Sequence, residues 1–191
     1  MKSLFTAVLC LVAVVGIASA EVYPLGVEVF SGYDMPVIQE DVGAGAMFGL
    51  AVRSHVWAPF HAELFFRSTS QGDADIDTDI PGDPGFTIAG GTLSGFGLNV
   101  LIAHPTPVSV WPYLQLGVSS NSRNPGESYQ KDETLTGWSF GGGTGINLYN
   151  RALYLDLNTA LLIMPFHDNE ASRKDWQTRL GIQYFIPINM K

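Results

Sequence analysis

The sequence predicts an all-β fold, an eight-stranded antiparallel up-and-down transmembrane β-barrel, and three observations lead there. Apolar and polar residues alternate with period two over segments of about ten residues, the weak signal of strands that cross a bilayer at a tilt. The connections between those segments are alternately short and long. Only 15% of the 191 residues are charged although 46% are hydrophobic, whereas an ordinary soluble domain carries about 25% charged residues. A water-exposed surface is hard to build from so few charges.

The first twenty residues read as an address. Lys2 supplies a positive start, Leu4 to Ile17 an apolar core, and Ala18-Ser19-Ala20 the small residues that a signal peptidase reads. A secretory signal peptide over 1–20 is expected, with residues 21–191 forming one barrel domain. The apolar stretch is too short for a membrane anchor and no stop-transfer pattern follows it. Cys10 is the single cysteine and leaves with the leader, so no disulfide, thiol nucleophile or thiolate metal site is expected in the exported chain.

Beyond the leader, alternation marks strands near 25–33, 43–52, 60–68, 93–103, 110–119, 136–148, 153–163 and 177–184. The clearest is 153–163, with Leu153, Leu155, Leu157, Thr159, Leu161 and Ile163 on one face and Tyr154, Asp156 and Asn158 on the other. Residues 177–184 set Thr178, Leu180, Ile182 and Tyr184 against Gln177, Arg179, Gly181 and Gln183. In 136–148 the polar face is Ser139, Gly141, Gly143, Gly145 and Asn147. Glycines there leave room for bulky side chains from across a narrow barrel. Segments 53–59, 104–109 and 149–151 are the short connections; 34–42, 69–92, 120–135 and 165–175 are mostly longer and hold most of the charge. Short turns on one rim and long polar loops on the other are the pattern of an outer-membrane barrel.

A soluble barrel alternates too, but it would turn a face of Lys, Glu and Thr to water. Here the polar face is Gly, Ser, Asn and Gln with five charges: Glu28, Glu63, Arg67, Asp156 and Arg179. Inside a closed lumen these can nearly neutralise one another, as buried charge requires. The expectation is a lumen network of Glu28, Asp156 and Arg179 with Glu63 and Arg67 nearby, plugging an interior that eight strands leave just wide enough for side chains. Two aromatic girdles are expected: Tyr23, Trp57, Phe60, Trp111, Tyr149 and Tyr184 at the short-turn ends, and Tyr33, Phe66, Trp138, Phe166 and Trp176 at the loop ends.

Other chemistry is thinly supplied. Asp73, Asp75, Asp77 and Asp79 occupy alternate positions of one loop, as ligands for a divalent cation such as Ca²⁺ would. The glycine of a calcium loop is replaced by Thr78 and its closing glutamate by Pro84, so a solvated acidic loop is the preferred reading. His55, His61, His104 and His167 fall at or beside strand ends with no serine two residues away on the same strand face, and no enzyme is expected. Gly141-Gly142-Gly143-Thr144-Gly145 precedes no helix, so it is not a phosphate loop. Ten basic against eighteen acidic residues exclude nucleic acid, and nothing calls for a cofactor.

The leader, the eight alternating segments and the loop asymmetry resemble the small outer-membrane β-barrels of the OmpA/OmpX type over nearly all of residues 21–186. The resemblance implies a Gram-negative outer membrane, with its lipid and the barrel-insertion machinery as partners. It implies a terminal strand ending in an aromatic residue, here Leu180-Gly181-Ile182-Gln183-Tyr184-Phe185, from which the extension Ile186 to Lys191 departs. Such barrels serve as adhesins, envelope anchors, lipid-modifying enzymes or narrow pores. The activity is therefore open between a structural or surface-contact barrel, a lipid-modifying enzyme and, outside the family, a secreted lipocalin-like barrel holding an apolar ligand.

Overall fold

The computed structural model describes residues 25–37, 42–76, 85–105, 108–126, 132–165 and 172–186. The leader, Asp77, Asp79, Tyr23, Phe166, His167 and the extension after Ile186 lie outside them. The strands are β1 (Leu25–Pro36), β2 (Gly43–Trp57), β3 (Phe60–Gly72), β4 (Ala74–Ile76), β5 (Phe86–Ile88), β6 (Thr92–Ala103), β7 (Val110–Asn124), β8 (Glu133–Tyr149), β9 (Leu153–Met164) and β10 (Arg173–Ile186). Eight of them close a barrel in the order β1-β10-β9-β8-β7-β6-β3-β2, every pair antiparallel, and β4 with β5 forms a separate hairpin in the connection after β3.

Closure fixes the geometry. A path taken partner by partner from Ile146 runs through Leu155, Ile182, Val29, Leu50, Phe66, Phe96 and Ser120 and returns to β8 at Thr136, ten residues away. A stagger of that size across eight strands corresponds to a strand tilt of about 40°. The interior then admits side chains and no broad channel.

Each strand alternates, and the apolar side faces out. Val29, Phe48, Leu50, Leu114, Leu116, Trp138, Phe140 and Leu180 are exposed while Glu28, Glu63, Asn99, Asp156 and Gln183 are buried. Trp57, Tyr149 and Tyr184 are exposed at the short-turn ends and Tyr33, Trp138 and Trp176 toward the other rim. Trp111 departs from the girdle expectation: it is fully buried inside the barrel, because its parity on β7 matches Tyr113 and Gln115. The strands also run further than the periodicity indicates, since β7 and β8 extend 15 and 17 residues. At the loop rim the outer face of β3, β6, β7 and β8 turns from apolar to hydroxyl at Ser68, Ser94, Ser122 and Thr134, in register across the four strands.

The short connections reduce to 58–59, 104–109 and 150–152. In the last, Ala152 N–H donates to Tyr149 O at 2.9 Å, and Asn150 and Arg151 take φ of 46° and 57°. Positive φ at both central residues is the hairpin turn whose twist matches the flanking strands, and asparagine suits it better than arginine.

Candidate functional site

The inward faces stack into layers along the barrel axis. Nearest the short-turn rim, Leu101, Ala103, Trp111, Tyr113, Tyr154 and Phe185 form an apolar cluster. Trp111 meets the rings of His61 at 5.1 Å and Phe185 at 5.9 Å, both edge to face. Strand β8 makes space for these rings with glycine. A Cβ at Gly143 would stand 2.5 Å from Tyr113 Oη, and one at Gly145 would stand 3.2 Å from Tyr154 Cδ1.

Above this lies the main charge layer. Glu63 is fully buried and accepts from Arg53 Nη2 at 2.6 Å, Arg179 Nη2 at 2.9 Å and Asn99 Nδ2 at 2.7 Å. Arg53 also donates to Gln183 Oε1 at 3.0 Å and stands 3.5 Å from both Glu28 and Asp156. Asp156 accepts from Tyr113 Oη at 2.7 Å. Arg53 stacks over the rings of Tyr113 and Trp111 at 4.8 and 5.3 Å, and Arg179 over Phe30 at 4.9 Å. Three carboxylates therefore share two guanidiniums in a buried layer, where such pairs persist only if most of their hydrogen-bonding capacity is met.

Glu28, Glu63, Asp156 and Arg179, expected from alternation, come together here. The partner order differs from the expectation based on neighbouring strands: Arg179 is 3.8 Å from both Glu28 and Asp156 and closest to Glu63, across the lumen. A long guanidinium in a narrow barrel reaches past its adjacent strands. Arg67 stays out of this layer. It donates to Gln177 Oε1 and, at 2.9 Å, to Asn121 Oδ1, and Gln177 Nε2 in turn donates to Asp34 Oδ2 at 2.9 Å.

Sequence reasoning placed Arg53 in a turn and Asp34, Arg173 and Asp175 in loops; all four are buried inside. A signal for Arg53 was present. Carrying the period-two pattern of β2 past residue 52 puts Arg53 and His55 on the inward parity of Met47 and Ala51, and a register shift between His55 and Trp57 sets Arg53 against Glu63 and His55 against His61. The two imidazoles contact each other edge to face at 4.8 Å and are buried within the barrel rather than standing on its rim.

Between the charge layers, Phe30, Met47, Ala51 and Phe65 form an apolar cluster. Beside it is a cavity of about 20 Å³ lined by Phe30, Phe65, Arg67, Asn99, Asn158 and Arg179 among others. Near the loop rim, Leu93, Leu135, Leu162 and Met164 close one side, and Arg173 donates to Asp175 at 3.1 Å on the other. In the acidic loop, Asp73 accepts from Gly90 N–H and Asp75 from Thr87 Oγ1, each at 2.7 Å, so both serve to join the β4–β5 hairpin. Among the described residues no three His, Cys, Asp or Glu side chains gather as a metal-holding group.

No protein-family model matches the chain, and no curated protein does. Solved structures do. Neisserial surface protein A is 13% identical with a TM-score of 0.63, covering 85% of this chain and 97% of its own. The N-terminal β-barrel domain of Pseudomonas aeruginosa OprF is 13% identical with a TM-score of 0.53, covering 86% of this chain and 99% of its own. The attachment invasion locus protein Ail of Yersinia pestis, solved with the heparin analogue sucrose octasulfate, is 16% identical with a TM-score of 0.52, covering 85% of this chain and 99% of its own. The fold is that of the small eight-stranded outer-membrane barrels.

Proposed function

We propose that the protein is an integral outer-membrane barrel, non-enzymatic, that anchors acidic loops at the cell surface for envelope support or surface contact. The observation that carries this is the inversion of the barrel: an exposed wall of Leu, Val, Phe and Trp around an interior of paired charges and amides. Such a wall is stable in lipid and aggregates in water. A lipocalin-like barrel would need an apolar interior to hold an apolar ligand, and the interior here is charged through its middle. The non-enzymatic reading is supported by the placement of His55 and His61, which stack in the lumen away from the lipid-facing wall. Outer-membrane lipid and the insertion machinery are the partners this reading requires.

The long connections 37–42, 73–91, 125–132 and 165–172 hold eleven of the eighteen acids and one basic residue, Lys131. Ail was solved with a polyanion, but loops of this sign repel one. The surface contact proposed for them is with neutral or cationic groups, and Ca²⁺ titration of the folded protein tests the acidic loop directly, with no heat expected.

The anchoring reading is tested by solubility and electrophoresis. The folded protein is expected to require detergent and to migrate differently when unheated; a monomer that stays soluble and monodisperse without detergent sinks it. A lumen plugged by the Arg53–Glu63–Arg179 layer predicts no conductance steps in a planar bilayer, or very small ones, and large steady steps would refute the plug.

A further inference from the structure

The cavity between the two charge layers is walled by two arginines from different strands, Arg67 of β3 and Arg179 of β10, each about nineteen-twentieths buried. Arg179 is compensated by Glu63 at 2.9 Å from its Nη2 and by Glu28 at 3.8 Å from its Nε. Arg67 has no carboxylate so near: among the described residues it makes no ion pair within 4 Å, Asp34 and Asp175 act on it only from farther off, and its guanidinium is held by two neutral amide oxygens. A buried cation without an adjacent countercharge is costly. Of the residues lining the cavity, only these two carry a buried polar side-chain atom without a hydrogen-bond partner, and both atoms are Nε–H donors. The amides add donors, because Asn99 and Gln177 each have a second amide proton beyond the bond made to Glu63 or Asp34.

Size and polarity together narrow the occupant. A space of about 20 Å³ exceeds the minimum of about 10–15 Å³ for one water and excludes anything polyatomic and large. A water could accept from the arginines and donate to the amide oxygens of Gln115 and Asn158, but it would bring Arg67 no charge. A small anion needs no acceptor and supplies a countercharge in direct contact with Arg67. We infer that this cavity is a binding site for a single small monovalent anion of the halide class, chloride under ordinary conditions, held between Arg67 and Arg179 with Asn99 and Gln177 as neutral donors. Phe30 and Phe65, over which Arg179 and Arg67 stack at 4.9 and 5.3 Å, form its apolar wall. The site does not depend on how the barrel is used.

Diffraction from the full barrel crystallised in sodium bromide tests it. Bromide replacing chloride is expected to give one anomalous peak inside the lumen, in contact with Arg67 and Arg179, at about 0.1 M salt. Ordinary solvent density there with no anomalous signal at that concentration overturns the site. In solution, replacing gluconate by chloride at equal ionic strength is expected to raise Tm by about 4 °C once the halide is tenfold above its Kd. Arg67→Met is expected to abolish that difference. Equal Tm of the unaltered protein in the two salts overturns the proposal, and neither that measurement nor the bromide experiment requires the variant to fold.

Discussion

Glu63 is the residue on which the lumen converges, because it alone accepts from Arg53, Arg179 and Asn99 together. Removing its charge leaves two guanidiniums with reduced compensation in a buried layer. Glu63→Gln is expected to lower stability by about 3–5 kcal/mol, measured by guanidinium unfolding in lipid vesicles. Arg151 shows the opposite case. At φ 57° its side chain contributes nothing that a hairpin turn requires and carries the cost of the left-handed region. Arg151→Gly is expected to stabilise by about 1 kcal/mol in the same assay. The charged residues of regular alternating stretches, Glu28, Asp156 and Arg179, were legible one at a time. Arg67 was legible as inward but not as separate from the main layer, because its level along the axis depends on strand stagger and not on its own sequence neighbours.

At the scale of elements, β8 is built to yield. Of its inward glycines, Gly143 and Gly145 lie opposite Tyr113 and Trp111 of β7, with Tyr154 of β9 reaching over Gly145, so the bulk of β7 and β9 occupies the volume that β8 leaves. Gly143→Val drives a branched side chain against Tyr113 and is expected to cost about 1–3 kcal/mol, read from the unfolding midpoint. That glycines stood on the polar face was evident from period two; which rings they accommodate required the register. The β2–β3 hairpin shows how a misplaced boundary hides function. Ending β2 at residue 52 removes Arg53 and His55 from the strand, whereas running it to Trp57 restores both, and the register shift between His55 and Trp57 sets each against its partner.

For the whole molecule, the charge account divides between inside and outside. Arg53, Arg67, Arg123, Arg173 and Arg179 sit at inward positions of their strands, as do Glu28, Asp34, Glu63, Asp156 and Asp175. Among the described residues five inward arginines match five inward carboxylates, so these positions contribute nothing to the net charge of -8. The loops are acidic partly because the arginines are spent within. The outer wall makes a depth-dependent prediction. Leu157→Arg, on the lipid face, is expected to cost about 2–4 kcal/mol in vesicle unfolding, and Ser122→Arg, where the wall has turned to hydroxyl, about 0–1. Equal costs would mean that the apolar band does not mark the bilayer.

Sequence alone determined the number of barrel strands, the alternation, the rim asymmetry and the sign of each strand face, because all of these are local, but not the β4–β5 hairpin within 69–92. Side-chain direction follows from period two, and loop length from the spacing of breakers. Tertiary structure decided who meets whom. The ten-residue stagger sets the height of every inward side chain, and so it brought Glu63 to Arg179 across the barrel, left Arg67 a layer away with amides as its direct partners and opened a cavity between the two layers. Those pairings join residues up to 143 positions apart, and only closure of the sheet brings them within reach of one another.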